Sequence, residues 1–107
     1  MDILETAMTL IAGAGDSKSY SMEAIMMAKE GKFSEARELL EKAKEAMVET
    51  HDVQVQLIRG EMMGEKSELT LLMVHAQDHL TSAMLMRDMA SEFIDIYEKL
   101  LVKGGQK

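Results

Sequence analysis

Apolar residues along the chain recur every three or four positions over three long stretches, the spacing of one helix face. The first runs from about residue 2 to 30, with Ile3, Ala7, Leu10, Ile11 and Ala14, then Met22, Ile25, Met26 and Ala28. Gly13-Ala14-Gly15-Asp16-Ser17 interrupts it. Two glycines cost helix propensity, and Asp and Ser offer cap chemistry, so a kink or break is expected there. Gly31 then ends the segment in the manner of a glycine just past a helix.

The second stretch, about 33–60, carries Ala36, Leu39, Leu40, Ala43, Ala46, Met47, Val53, Leu57 and Ile58. Glu35, Glu38 and Glu41 load its front end, as the helix dipole favours, and Gly60 and Gly64 bracket its end. The third, about 66–102, reads as a heptad seam. One row holds Leu69, Ala76, Ala83, Ala90 and Tyr97, the other Leu72, His79, Met86, Phe93 and Leu100. Gly104-Gly105 is expected to stop it. The predicted fold is all-α: a single domain built as an antiparallel three-helix bundle, because short connections make sequential helices neighbours.

Composition agrees with that class. Ala, Leu, Met, Glu and Lys, all good helix formers, dominate, proline is absent, and aromatics are 4% of the chain. The seven glycines are placed mostly between the periodic segments. At 107 residues, a bundle of this size is marginal alone and gains from association. The formal charge of −7 argues against nucleic acid and anionic membrane surfaces and suits a basic protein partner. Absent cysteine excludes disulfides and thiol catalysis and fits a cytoplasmic setting. The chain opens with Asp2 and Glu5 and no early basic residue, unlike a signal peptide. No apolar run nears the roughly 20 residues of a spanning helix, so no membrane insertion is expected.

The third segment breaks its own pattern at its middle. After Leu71-Leu72-Met73-Val74 come His75-Ala76-Gln77-Asp78-His79, then Leu80. Residues three and four apart share a helix face, so His75, Asp78, His79 and Ser82 form one polar stripe, with His79 on the predicted seam. An unpaired buried polar group costs about 1–3 kcal/mol, so such a group needs partners or a task. On the second segment Thr50 and Gln54 lie on the inward stripe and His51 borders it, so antiparallel packing would bring His51, Gln54, His75, Asp78 and His79 towards one region. A structural polar network fixing register accounts for His79, Gln54 or Thr50 singly, and less well for the whole group. The twelve methionines read as core filler. A structural metal site, zinc on His75, Asp78 and His79 in a helical interaction module, is the alternative. There is no HExxH, no Glu-x-x-His, no Walker loop, no GxGxxG and no serine nucleophile motif.

The run LLMVHAQDHL resembles the signature of the lactose/cellobiose class of enzyme IIA of the bacterial phosphotransferase system. The resemblance extends nearly end to end. Gly15-Asp16-Ser17-Lys18-Ser19 resembles the family's Gly-x-Ala-Lys/Arg-Ser, and Glu23-Ala24, Ala28-Lys29, Gly31 and Phe33 follow its pattern. Thr50-His51-Asp52-Val53-Gln54-Val55-Gln56-Leu57 matches its Ala-His-x-x-Gln-Thr-x-Leu in part, and Glu61-Met62-Met63-Gly64 its Glu-Ala-x-Gly. Ser17, Thr50, Val55 and Met62 depart from the pattern, as does Thr81 after His-Leu.

What the resemblance implies is a homotrimer of three-helix subunits that carries phosphate in sugar uptake. His75 would be the phosphorylated residue, reacting through Nε2. Asp78 would sit near the threefold axis, three copies sharing one magnesium ion. The donor would be phospho-HPr, the acceptor a cysteine of enzyme IIB, and the sugar a β-linked disaccharide: lactose, cellobiose or diacetylchitobiose. A regulatory protein using the same phosphorylation as a signal would share this chemistry.

The residue types suit that task. Histidine, with an ordinary pKa of about 6.5, offers a neutral ring with a free lone pair near pH 7. Phosphoryl transfer between protein nucleophiles needs alignment and charge stabilisation more than covalent help. Gln77, His79, Gln54 and His51 are the candidates for orienting the ring or binding phosphate oxygens.

Overall fold

The computed structural model describes residues 2–66 and 68–105 and contains three helices: α1 (Ile3–Lys29), α2 (Phe33–Met62) and α3 (Leu71–Gly105). They pack as an elongated bundle of 62 × 21 × 19 Å, with no strand among the described residues. Both turns are made the same way. Gly31 and Gly64 adopt φ of +79° and +91°, a region closed to most side chains. Each closes a Schellman pair: Lys32 N donates to Met27 O and Gly31 N to Ala28 O, and Glu65 N donates to Gly60 O and Gly64 N to Glu61 O.

The core is narrow because small residues line it. Ala7, Ala14, Ala24, Ala28, Ala36, Ala43, Ala76, Ala83 and Ala90 are fully buried. Larger side chains fill the space in three clusters along the rod. Leu10 and Met73 pack at one end, Met47 and Leu80 in the middle, and Leu40 and Ile94 at the other. Complete burial of a residue such as Leu10, Leu80 or Ile94 is worth about 1.5–3 kcal/mol. Arg37 of α2 clamps Glu98 of α3 through two hydrogen bonds, 2.9 and 3.1 Å, on the surface.

Four expectations need correction. First, α1 continues unbroken across Gly13–Ser17. Ser17 faces the core and donates its hydroxyl to Ala43 O of α2 at 2.9 Å instead of capping a helix. Gly13 lies against Thr50, and a Cβ added there would collide with Thr50 Oγ1, so this glycine permits close helix approach. Second, Gly13, Gly15, Gly60, Gly104 and Gly105 all lie within helices, and α3 runs through the last two.

Third, α3 starts at Leu71, later than expected. Thr70 supplies the cap, its Oγ1 accepting from Met73 N at 3.0 Å. Ser67, at the expected start, lies outside the described residues. Fourth, the buried partners of the Ala76, Ala83 and Ala90 row are Met73, Leu80 and Ile94. The expected row is rotated outward: Leu72, His79 and Met86 are half-buried, and Phe93 and Leu100 exposed. The two rows flank the same alanines and each is apolar but for one residue, His79 in the expected row and Arg87 in the observed one, so heptad spacing could not choose between them.

Candidate phosphoryl-carrying site

Burial of Met73, Ala76, Leu80 and Ala83, at spacings of three and four, sets the rotation of α3. That rotation puts His75 and Asp78 on the exposed side and His79 on the flank, half-buried against α1. His75 and His79 are one helical turn apart. Their rings meet edge to face, centroids 4.5 Å apart and planes at 87°. The Nε2 atoms are 3.1 Å apart, a hydrogen bond in which one ring supplies the proton and the other the lone pair.

On the opposite side of the His79 ring, Lys18 Nζ of α1 donates to Nδ1 at 3.0 Å. Desolvation lowers the pKa of His79 below its ordinary 6.5, the positive charges of Lys18 and His75 lower it further, and Asp78 opposes them. His79 is therefore a neutral imidazole at pH 7. His75 opens onto a shallow, largely apolar surface depression with Leu71 and Leu72.

The other candidates are placed differently. Gln54 Nε2 of α2 donates to Gln77 Oε1 of α3 at 2.7 Å, and Gln77 Nε2 reaches Met73 Sδ at 3.5 Å. Two residues from His75, Gln77 faces α2 rather than α1, since i and i+2 do not share a helix face. This amide pair is thus separate from the Lys18–His79–His75 chain. His51 is exposed on α2 and stands outside that chain. The zinc alternative finds no support: among the described residues no three His, Asp or Glu side chains are grouped to hold a metal.

Lys18 is the site residue that sequence reading passed over. Its only signal is its place after Ser17 in the stretch Gly15–Ser19 that resembles the family's Gly-x-Ala-Lys/Arg-Ser. Its role depends on two helices meeting across 61 positions.

Comparison with known proteins supplies the family. The description "PTS system, Lactose/Cellobiose specific IIA subunit" matches residues 5–98. The lichenan-specific phosphotransferase enzyme IIA component of Bacillus subtilis (strain 168) is 49% identical over 96 residues, 90% of this chain and 87% of the relative. The crystal structure of the cellobiose-specific enzyme IIA from Bacillus anthracis superposes with a TM-score of 0.92 at 45% identity, covering 96% of this chain and 94% of that one. A chain of the IIA(Chitobiose)–HPr complex from the N,N'-diacetylchitobiose branch of the Escherichia coli phosphotransferase system gives a TM-score of 0.78 at 36% identity, with 94% and 97% covered. With a matched region that contains both the helical core and the histidine pair, the chain belongs to the lactose/cellobiose-specific IIA family of the sugar phosphotransferase system and is a phosphotransferase component of that system.

Proposed function

We propose that His75 accepts a phosphoryl group from phospho-HPr and passes it to a cysteine of a cognate enzyme IIB during uptake of a β-linked disaccharide. The observation that carries this reading is an exposed imidazole whose Nε2 meets a second, neutral imidazole at 3.1 Å. Such a ring is reachable by a donor protein and has a partner in place for the incoming group. HPr as donor is supported by the similarity to a IIA subunit solved in complex with HPr. The sugar is drawn from the relatives' names, among them lactose, cellobiose and N,N'-diacetylchitobiose.

His79 is the residue in direct reach of the reacting ring. Gln54 of α2 and Gln77 of α3, bonded to each other, and the exposed His51 of α2 would add to the polar surface that a docked protein meets. The exposed apolar surface around His75, including Leu71 and Val74, suits protein docking and limits water at the phosphorus.

The working unit in this reading is a homotrimer. Beyond the exposed His75, the outward side of α3 carries Asp78, Ser82, Leu85, Met89, Glu92 and Ile96, which alternate spacings of four and three. Leu85, Met89 and Ile96 are 60, 47 and 50% exposed. A coiled-coil seam left open on the isolated chain is what self-association would cover. Asp78 falls within that seam, and among the described residues its carboxylate makes no ion pair. Three such carboxylates around an axis repel and fit a shared hard cation such as magnesium, which would neutralise them.

The test is incubation with phosphoenolpyruvate, enzyme I and HPr, followed by intact-mass measurement. One acid-labile phosphate per chain is expected, absent in His75→Ala. Phosphate retained by that variant rejects His75 as the carrier.

A further inference from the structure

The two hydrogen bonds on His79 are not independent. An ammonium has three donors and no acceptor, so the 3.0 Å contact with Lys18 requires a lone pair on His79 Nδ1. A neutral imidazole with its lone pair on Nδ1 carries its proton on Nε2. That proton points at His75 Nε2, 3.1 Å away, and requires a lone pair there. His75, when neutral, then carries its own proton on Nδ1.

We propose that Lys18 is a positioning residue: acting through His79, it fixes the tautomer of His75 and so selects Nε2 as the nitrogen that receives phosphate. The inference rests on the carrier reading of His75 and adds a residue from a different helix, 57 positions earlier in the chain (75 − 18). It does not require Lys18 to touch the phosphoryl group.

The transfer step balances. The lone pair of His75 Nε2 forms the new N–P bond while the P–N bond of the donor phosphohistidine breaks, its electron pair returning to the donor nitrogen. The proton on His75 Nδ1 stays in place during the attack. The His79 Nε2–H, which had faced that lone pair, now faces a phosphoryl oxygen and donates to it. The same proton therefore marks the nucleophile before transfer and stabilises charge after it. Without Lys18, His79 is free to hold its proton on Nδ1. Its Nε2 would then present a lone pair to His75, which would draw the His75 proton to Nε2 and block attack there.

The experiment is NMR of ring nitrogens in uniformly ¹⁵N-labelled, unphosphorylated protein above pH 7.5, with phosphorylation rates measured alongside. The wild type is expected to show the Nε2–H form of His79 and the Nδ1–H form of His75. Lys18→Met keeps a long apolar stem and removes the donor. It should shift both rings to tautomer mixtures and slow phosphorylation by phospho-HPr about 10-fold, the lower end of what losing the outer-shell partner of a metal-ligating histidine costs. Lys18→Arg should restore both readouts. Circular dichroism melting confirms that each variant folds. A wild-type His79 protonated on Nδ1, or tautomers indifferent to Lys18→Met, overturns the inference whatever the rates. If the tautomers respond as expected while the wild type takes up no phosphate, the carrier reading fails and the tautomer relay stands.

Discussion

His79 sits between the ammonium of Lys18 on one side of its ring and the imidazole of His75 on the other, and that environment has a measurable consequence. Desolvation first, then the neighbouring positive charges, lower its pKa in the folded chain below the ordinary 6.5. In the unfolded chain these influences are gone, so the unfolded state takes up the proton first as pH falls. Stability rises with pH wherever the unfolded state binds more protons. The contribution of His79 is thus fully present above about pH 6.5 and is lost as pH falls from there through the lowered folded value. Urea midpoints at pH 7.5 and 5.5 should drop more for the wild type than for His79→Gln, and equal drops would contradict the assignment. His75 and His79 were legible as a pair because i and i+4 spacing suffices to place them on one face. Lys18 was not, because no local pattern tells which lysine on one helix reaches a histidine on another. Gln54 was legible as an inward polar residue and Gln77 entered as an orienting candidate, but only coordinates reveal that they bond each other.

At the scale of the element, α3 carries most of the information and most of the ambiguity. Its alanine row, Ala76, Ala83 and Ala90, was readable as core from heptad spacing, and it is fully buried. Its second row was misassigned because the helix is apolar on more than one face. Met73, Leu80 and Ile94 turn inward, while Phe93 and Leu100 stay exposed. A helix that is apolar nearly all round has more than one partner to bury against, and a sequence does not say which face serves the subunit's own core. The start of α3 was missed for a different reason. The expected start near residue 66 rested on periodicity without a cap, yet the cap that binds the helix is Thr70, through Met73 N. Thr70→Ala should therefore cost about 1 kcal/mol in urea denaturation, the usual loss for an N-cap hydroxyl. An unchanged midpoint would show that this bond adds nothing to stability. On α1 the expected break did not form because Gly13 and Ser17 serve packing against α2, through Thr50 and Ala43 O, where cap chemistry had been the expectation.

The whole molecule is a thin rod with a small core and much exposed apolar surface, and both features point outward to other proteins. Leu85, Ile96 and Leu100 on α3 remain 60, 50 and 63% exposed in the single chain. In the proposed trimer, Asp78 of each subunit would face the axis, and Asp78→Leu would replace three mutually repelling carboxylates with apolar contact. That variant should sediment as a trimer at least as stable as the wild type at matched concentration. Sedimentation as monomers alone would refute the axial placement of Asp78. The three-helix architecture was legible from periodicity and composition. The assembly was not, since a single sequence does not show which apolar face a second copy covers.

The central claim is the identity of one atom. Protein labelled with ¹⁵N in its histidine rings, phosphorylated through phospho-HPr and observed by NMR, reports the bonded nitrogen through ³¹P–¹⁵N coupling. Coupling to Nε2 of His75 is the predicted result. Coupling to Nδ1 of that ring, to a nitrogen of His51 or His79, or to no histidine nitrogen at all would contradict it.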